Sequence, residues 1–265
     1  MIITDSDSSA ISEVRQHFFR TFEMKDLGPL WYFLGIEVAS SPKVYFLSQA
    51  KYANEVIHRA GLINTKLFDT PIELNVKLNI TNGVPLDDPT LYRELVSCLV
   101  YLTVTRPGLA YAVHVVSQFV FAPRSTHWAA LLRILRYLQS TIFQGLLFSS
   151  TSFLDLVAYA DADADADWAG DVNDHKSISG FYMFLSDSLI SWKSKKQTIV
   201  ARSTAETEYR AMAHATAEII WLRGLLSDLG VPQSSPTSLY CDNQSAIQIA
   251  HNNVFHERTK HIEID

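Results

Sequence analysis

The sequence predicts a mixed α/β fold, in which helices flank a sheet of parallel and antiparallel strands, and three observations carry this prediction. From about residue 154 the hydrophobic pattern runs strand, hairpin, helix, strand and helix. The longest helical pattern, over residues 203–229, separates two of these strands. Those two strands end in the same Tyr-x-Asp pattern, at 159–161 and 240–242, so we expect them to lie side by side in parallel.

The N-terminal part of the chain predicts four short elements, each from its hydrophobic period and its turn residues. In order they are a strand at 1–4, a helix at 8–22, a hairpin at 30–36 and 43–47 that turns at 40–42, and a helix at 49–60. The last of these helices should end at Gly61, because glycine readily takes the left-handed conformation that closes a helix.

The middle of the chain predicts a polar connector, over about 64–85, followed by three amphipathic helices. Asp87 or Asp88 caps the first helix, with Pro89 in its first turn. The apolar stripe of this helix consists of Leu91, Leu95, Leu99 and Leu102, and the two further helices cover 109–121 and 126–140. We expect this block to serve packing rather than chemistry.

Strand patterns begin at about residue 143, so the chain divides into three predicted segments, 1–63, 64–142 and 143–265. In the last segment a strand starts at 154, a hairpin covers 179–186 and 189–193 with its turn at 187–188, and the long helix begins at Ser203. Ser203 and Glu206 have capping-box spacing, and Gly230 ends the helix. The apolar stripe of the long helix comprises Ala211, Ala215, Ile219, Leu222 and Leu226.

An acidic run at 159–168 lies on the first strand of the Tyr-x-Asp pair. Strand alternation has a period of two, so Tyr159, Asp161, Asp163, Asp165 and Asp167 should share one face. Like charges on one face repel, and a divalent cation would offset that repulsion, because hard cations prefer carboxylate oxygens. A solvated acidic turn explains the run equally well when it is taken alone.

Two further acids favour the metal interpretation. Asp242 ends the second strand of the pair, and stepping back along the stripe of the long helix by helical periods reaches Glu208. Glu206 should instead pair with Arg210 at i,i+4 on the outer face. A carboxylate on the sheet-facing stripe is costly unless something binds it, so we expect Asp161, Glu208 and Asp242 to converge on metal.

Composition excludes some classes of function. The chain has 265 residues, 48% hydrophobic and 19% charged, and its net charge of -6 argues against a broad basic nucleic-acid surface. A local basic cluster, Lys193, Lys195 and Lys196 next to Trp192, fits either phosphate binding or a lysine-protected hairpin edge. Two cysteines suggest no disulfide framework or zinc site. No signal peptide or membrane-spanning run is recognised, which predicts an intracellular protein without a membrane partner.

Several long motifs occur in an order that resembles the ribonuclease H domain of copia-type retrotransposon polyproteins. These motifs lie at 159–161, 167–171, 176–180, 190–197, 203–211, 241–247 and 255–262. Upstream, residues 22–38 and 92–118 are similar to the end of the reverse transcriptase and to its connection. The resemblance covers nearly the whole chain.

This resemblance implies a ribonuclease H-like sheet preceded by a reverse-transcriptase remnant of a hairpin and helices. It implies cleavage of the RNA strand in RNA–DNA hybrids with two Mg²⁺ ions, with Mn²⁺ as an alternative. The metal-binding and catalytic carboxylates would be Asp161, Glu208 and Asp242. The hybrid would contact Lys193, Lys195 and Lys196, and the remainder of the Pol polyprotein would be a further partner.

The chain departs from the family pattern in three ways. The Ala-Asp run is longer by four residues than is usual, so counting from the strand selects Asp161, whereas counting back from Trp168 selects Asp165; we favour Asp161. The family's fourth acidic residue would follow Asp265, and the paired aspartates of the polymerase would precede residue 1. These departures support an alternative: a catalytically inactive remnant that binds nucleic acid weakly at most.

Three other interpretations find little support in the sequence. A calcium loop starting at Asp163 or Asp165 misplaces either the glycine or the final acid. Ser203 with His214 or His261 as its base lacks an elbow motif. Zinc binding by His256 and His261 has no third ligand.

Overall fold

The computed structural model describes residues 7–23, 25, 28–62, 66–73, 78–150, 153–163 and 176–251. Within these residues it contains two four-stranded sheets and seven α-helices, which confirms the predicted mixed α/β class. The predicted strand at 1–4, most of the acidic run and the histidines at 256 and 261 lie outside the described residues.

The first helix, α1 (Ser8–Thr21), begins where the Asp7 side chain accepts a hydrogen bond from the Ser9 amide at 2.7 Å. None of its residues is fully buried: on its apolar stripe Ile11 and Phe18 are half-buried, and Val14 and Phe22 are exposed. Three short strands follow, β1 (Tyr32–Phe33), β2 (Ile36–Ser40) and β3 (Val44–Ser48).

The prediction of one strand over residues 30–36 is wrong, because a turn divides this segment between β1 and β2. Phe33 pairs with Ile36 across a two-residue turn in which Leu34 and Gly35 both have positive φ, 49° and 81°. This geometry is that of a type I′ turn, which usually contains Asn-Gly or Asp-Gly. Leucine gives no such signal, so the sequence predicts one continuous strand.

Four helices enclose the larger hydrophobic core: α2 (Ala50–Arg59), α3 (Thr90–Leu102), α4 (Ala110–Ser117) and α5 (Ser125–Ser140). Helix α3 begins at Thr90 with Pro89 as its N-cap residue, so Pro89 lies just before the first turn and not in it as predicted. Asp88, one residue outside the cap, accepts a hydrogen bond from the Thr90 amide at 2.9 Å. The predicted stripe of α3 is buried except for Leu91, which is 37% exposed, while Tyr92 is buried. Tyr92 donates to the carbonyl of Val116 at 2.7 Å and so joins α3 to α4.

Strand β4 (Gly145–Ser149) completes the first sheet, whose order is β1-β2-β3-β4 with every neighbouring pair antiparallel. It pairs with β3 along its whole length, from Gly145 opposite Ser48 to Ser149 opposite Val44. The strand lies within the predicted segment 143–265, yet the strand with which it pairs, β3, belongs to the predicted segment 1–63.

The second sheet contains β5 (Leu156–Asp163), β6 (Ile178–Leu185), β7 (Ser188–Lys196) and β8 (Ser238–Tyr240), in the order β7-β6-β5-β8. The hairpin between β6 and β7 turns at 186–187, one residue before the predicted turn. Helix α6 (Thr204–Asp228) connects β7 to β8, and α7 (Gln244–His251) follows β8. Strand β8 is parallel to β5, as the Tyr-x-Asp pattern predicts.

Helix α6 covers one face of this sheet and forms the second core with it. Its predicted stripe is buried against the strands, and Ala158, Ala160 and Ala162 of β5 face it. Alternation places Tyr159 and Asp161 on the opposite face. That opposite face also contacts the helical block, because the Trp192 indole donates to the carbonyl of Thr103 at 3.0 Å. Within the described part of the chain, no helix is both long enough and apolar enough to cross a bilayer.

Candidate functional site

The parallel pair of β5 and β8 aligns the two strand-end aspartates. Tyr159 lies opposite Tyr240 in the register, and their rings stack with centroids 5.1 Å apart. Asp161 and Asp242 each follow two residues later, so both come to the same edge of the sheet. Ligands of open α/β sheets collect at this edge, beyond the carboxyl ends of the strands.

Glu208 reaches this edge from the first turns of α6. It belongs to the helix face that packs on the sheet, and only 4% of it is exposed. The backbone N–H of Ala162 donates a hydrogen bond to its carboxylate, and the Cys241 thiol donates to its Oε2 at 3.8 Å. The sheet-facing position predicted from the helical period is therefore confirmed.

Electrostatics at Glu208 are unfavourable for the ionised form. Burial, followed by the negative charges of Asp161 and Asp242, raises the pKa of Glu208 to about 7, against the hydrogen bond from Ala162. Burial also raises the pKa of the Cys241 thiol. Functional sites often contain a carboxyl group whose pKa is raised by burial and by like charges. A cation bound between these carboxylates would lower the pKa of Glu208 again.

The structure brings the three predicted acids together to different degrees. One side-chain oxygen each of Glu208 and Asp242, with the sulfur of Cys241, lie within 4.8 Å of one another. Asp161 is outside this tightest set but near enough to raise the pKa of Glu208. Asp165 lies outside the described residues, so its part in the site stays open.

Cys241 is the member of the site that sequence reasoning missed. The alternation of β8 assigns Cys241 and Leu239 to one face, and Leu239 packs in the α6 core. Glu208 lies on the helix stripe that covers this same core. Combining these two patterns would have placed the thiol beside the carboxylate.

The structure contradicts the prediction that Glu206 lies on the outer face of α6. Its ion pair with Arg210 is present at 3.0 Å, yet Glu206 is only 2% exposed. Its other oxygen accepts from the Arg202 amide at 2.8 Å, and Ser203 accepts from the Glu206 amide at 3.2 Å. Ser203 thus serves as the helix cap, as predicted, and Glu206 is a structural acid of the helix start.

The three predicted lysines divide between the two faces of the hairpin. Lys193 and Lys195 are exposed on the face nearer α6. The pKa of His214 is lowered first by desolvation of its ring and then by the positive charges of these two lysines and Arg210. Lys196 faces the helical block instead, where its Nζ donates to Gln118 at 2.8 Å. The exposed basic surface therefore contains two of the three lysines.

Comparison with known proteins gives one family model and several long relatives. The model described as reverse transcriptase (RNA-dependent DNA polymerase) matches residues 1–74. The chain is 40% identical over its full length to the retrovirus-related Pol polyprotein from transposon RE2 of Arabidopsis thaliana, and covers 18% of it. It is 38% identical, also over its full length, to the Pol polyprotein from transposon TNT 1-94 of Nicotiana tabacum, and covers 20% of it.

A shorter relative matches over nearly all of its own length. The uncharacterized mitochondrial protein AtMg00810 of Arabidopsis thaliana is 39% identical over 221 residues, which are 83% of this chain and 90% of that protein. No solved structure matches the chain.

Proposed function

Because the chain belongs to the copia-type Pol polyproteins of retrotransposons, we propose that it provides a ribonuclease H that hydrolyses the RNA strand of RNA–DNA hybrids. The observation that carries the proposal is the meeting of Asp161, Glu208 and Asp242 at one sheet edge. The order and direction of the strands in the second sheet, with α6 as the crossover, are consistent with a ribonuclease H-like domain.

The donor set fits divalent magnesium. All three side chains offer carboxylate oxygens, which hard cations prefer, and two of them come from adjacent strand ends whose spacing the sheet fixes. Glu208 is buried beside two other acids, and no lysine or arginine of the described residues forms an ion pair with it. A pair of Mg²⁺ ions, with Mn²⁺ as the alternative, would compensate this charge.

The protein's own groups prepare the site for that chemistry. When bound, the cation pair supplies the activation of water and the stabilisation of the leaving oxygen. The Ala162 amide holds the Glu208 carboxylate in place, and the stacked rings of Tyr159 and Tyr240 pack directly before the two aspartates. Lys193 and Lys195 would contact the phosphate backbone, so binding of the hybrid should weaken as salt increases.

The test is cleavage of a labelled RNA–DNA hybrid by the whole chain in Mg²⁺, with the same RNA paired to RNA as the specificity control. We expect Asp242→Asn, Asp161→Asn and Glu208→Gln each to reduce the rate by about 100-fold or more, because each removes a charge that the cations need. Glu218→Gln is the matched control: Glu218 lies on α6 but accepts from Ser191 at 2.7 Å, away from the site. Equal loss in Glu218→Gln, or full activity in Asp242→Asn, would contradict the assignment.

A second candidate is a remnant that binds hybrids without cutting them. The observation that favours it is the position of Asp161 outside the tightest set of ligand atoms. Salt-sensitive binding of the hybrid with no cleavage in Mg²⁺ or Mn²⁺ would select this alternative.

A further inference from the structure

Cys241 gives the candidate site a ligand atom that a magnesium centre does not need. Its thiol lies 3.8 Å from Oε2 of Glu208, and its sulfur, a Glu208 oxygen and an Asp242 oxygen are mutually within 4.8 Å. We call these three side chains the thiol–carboxylate cluster. The cluster mixes one soft ligand with two hard ones.

The spacing of the cluster suits a single tetrahedral ion. Zinc lies about 2.3 Å from sulfur and about 2.1 Å from oxygen, so tetrahedral sulfur and oxygen ligands are about 3.6 Å apart. The distance of 3.8 Å between Cys241 Sγ and Glu208 Oε2 already approaches this value. The third ligand, Asp242, is exposed and can adjust by a side-chain rotation, which leaves a fourth position for water.

The burial of Glu208 is a separate reason to expect an ion here. A carboxylate that is 4% exposed normally has a cationic partner, and none of the described lysines or arginines forms an ion pair with it. Its carboxylate accepts hydrogen bonds from the Ala162 amide and from the weak S–H donor of Cys241, and neither donor carries a charge. A cation shared by the thiol and the carboxylates would satisfy this buried charge.

We propose that Glu208, Cys241 and Asp242 bind a thiophilic divalent cation of the zinc class. Thiolate selects softer cations than carboxylate alone does, whereas Mg²⁺ accepts oxygen ligands and gains nothing from sulfur. The Cys241 thiol loses its proton to solvent as its sulfur bonds to the ion. The ion occupies two of the carboxylates assigned to Mg²⁺, so it inhibits hybrid cleavage; this consequence rests on the proposed function, whereas the binding does not.

Cadmium binding to the whole chain tests the proposal, because a cysteine–cadmium bond produces a charge-transfer absorption in the ultraviolet. The chain contains two cysteines, and the other one, Cys98, lies in the helical core, where it accepts from Arg59 at 3.7 Å. We expect the wild type and Cys98→Ser to show the absorption, saturating at one cadmium per chain, and Cys241→Ser to lack it. Circular dichroism checks that both variants are folded.

A second variant and a competing metal test the other ligands. Asp242→Asn should weaken cadmium binding by about 10-fold or more while the absorption persists at saturation, and an excess of Zn²⁺ should displace cadmium and abolish the band. Absorption that survives in Cys241→Ser, disappears in Cys98→Ser or is absent from the wild type would overturn the site.

The binding and cleavage results can fail independently. Cadmium binding without hybrid cleavage would leave the thiol–carboxylate cluster standing and reject the ribonuclease assignment. Cleavage in Mg²⁺ without the cadmium absorption would reject the cluster alone. If both hold, Zn²⁺ should inhibit cleavage by the wild type at a concentration about 10-fold or more below that needed for Cys241→Ser.

Discussion

At Glu208, burial and the negative charges of two neighbouring carboxylates both favour the protonated form of the carboxyl group. The pKa of this carboxyl rises from 4.5 to about 7. Between these two pH values the folded chain therefore binds more protons at Glu208 than the unfolded chain does. The contribution of Glu208 to stability is thus greatest below pH 4.5 and is lost as pH rises through 7.

Replacement of Glu208 by glutamine should remove this pH dependence. One pKa unit corresponds to about 1.4 kcal/mol, so in metal-free buffer the unfolding free energy of the wild type, relative to Glu208→Gln, should fall by roughly 2–3 kcal/mol between about pH 5 and pH 8. Urea unfolding of both proteins at both pH values measures this difference. Glu218→Gln should behave as the wild type, and an unchanged pH profile in Glu208→Gln would show that another group titrates.

The side chains at the start of α6 show what local spacing can and cannot predict. Helical period correctly places Glu208 on the sheet face, because that position depends only on the stripe of the same helix. The i,i+4 spacing also predicts the Glu206–Arg210 pair. It does not predict that Glu206 is buried, because burial depends on what the rest of the chain places against the pair.

Among the elements, β4 depends on a close approach that only glycine allows. A Cβ at Gly145 would meet the carbonyl oxygen of Leu47 and would lie 2.7 Å from a ring atom of Phe46. Both neighbours belong to β3, the strand with which β4 pairs. The absence of a side chain at residue 145 is therefore a condition for the pairing of these two strands.

Gly145→Ala should destabilise the protein by about 2 kcal/mol, because the new methyl group must displace backbone of β3. Gly224→Ala is the opposite control: Gly224 is inside α6, and a Cβ there meets nothing within 4 Å. This second variant should gain up to about 1 kcal/mol from helix propensity. Denaturant midpoints measure both, and equal effects of the same sign would contradict the close approach at Gly145.

Element prediction succeeded where a hydrophobic period or a cap marked the ends, as in α3 and α6. It failed at Leu34 and Gly35, where the turn is formed by a residue that rarely adopts positive φ. It also grouped Lys196 with Lys193 and Lys195 by sequence proximity. The strand period assigns Lys196 to the other face, where it bonds to Gln118.

In the molecule as a whole, strand β7 connects the second sheet to the helical block through hydrogen bonds. Besides the indole of Trp192 on Thr103, the Lys196 amide donates to Nε2 of His114 at 3.1 Å. His114 must therefore be neutral at Nε2. Burial, and then the charge of Lys196, lower the pKa of His114 below 6.5. These contacts connect residues 82 and 89 positions apart, which no local pattern in the sequence could reveal.

The contact at His114 should weaken in acid. Because its pKa is lower in the folded state, its contribution is complete above pH 6.5 and declines as pH falls below that value. Glutamine can accept the same hydrogen bond without titrating. The unfolding free energy of the wild type, relative to His114→Gln, should therefore fall between about pH 7.5 and pH 5.5.

Hydrogen exchange of the Lys196 amide gives an independent measurement of this contact. Its protection should decrease in acid in the wild type and should depend less on pH in His114→Gln, after correction for intrinsic exchange rates. Parallel pH profiles for the two proteins would show that the bond does not depend on the charge of the imidazole.

The pairing of β4 with β3 determines where the chain can be divided for separate expression of its parts. A cut between residues 142 and 143, where the strand patterns of the sequence begin, would leave the hydrogen-bonding groups of β3 unpaired along one side. Exposed strand edges recruit strands of other molecules, so an N-terminal piece of this kind should self-associate. A cut between β4 and β5 keeps that edge covered and gives the more soluble fragments.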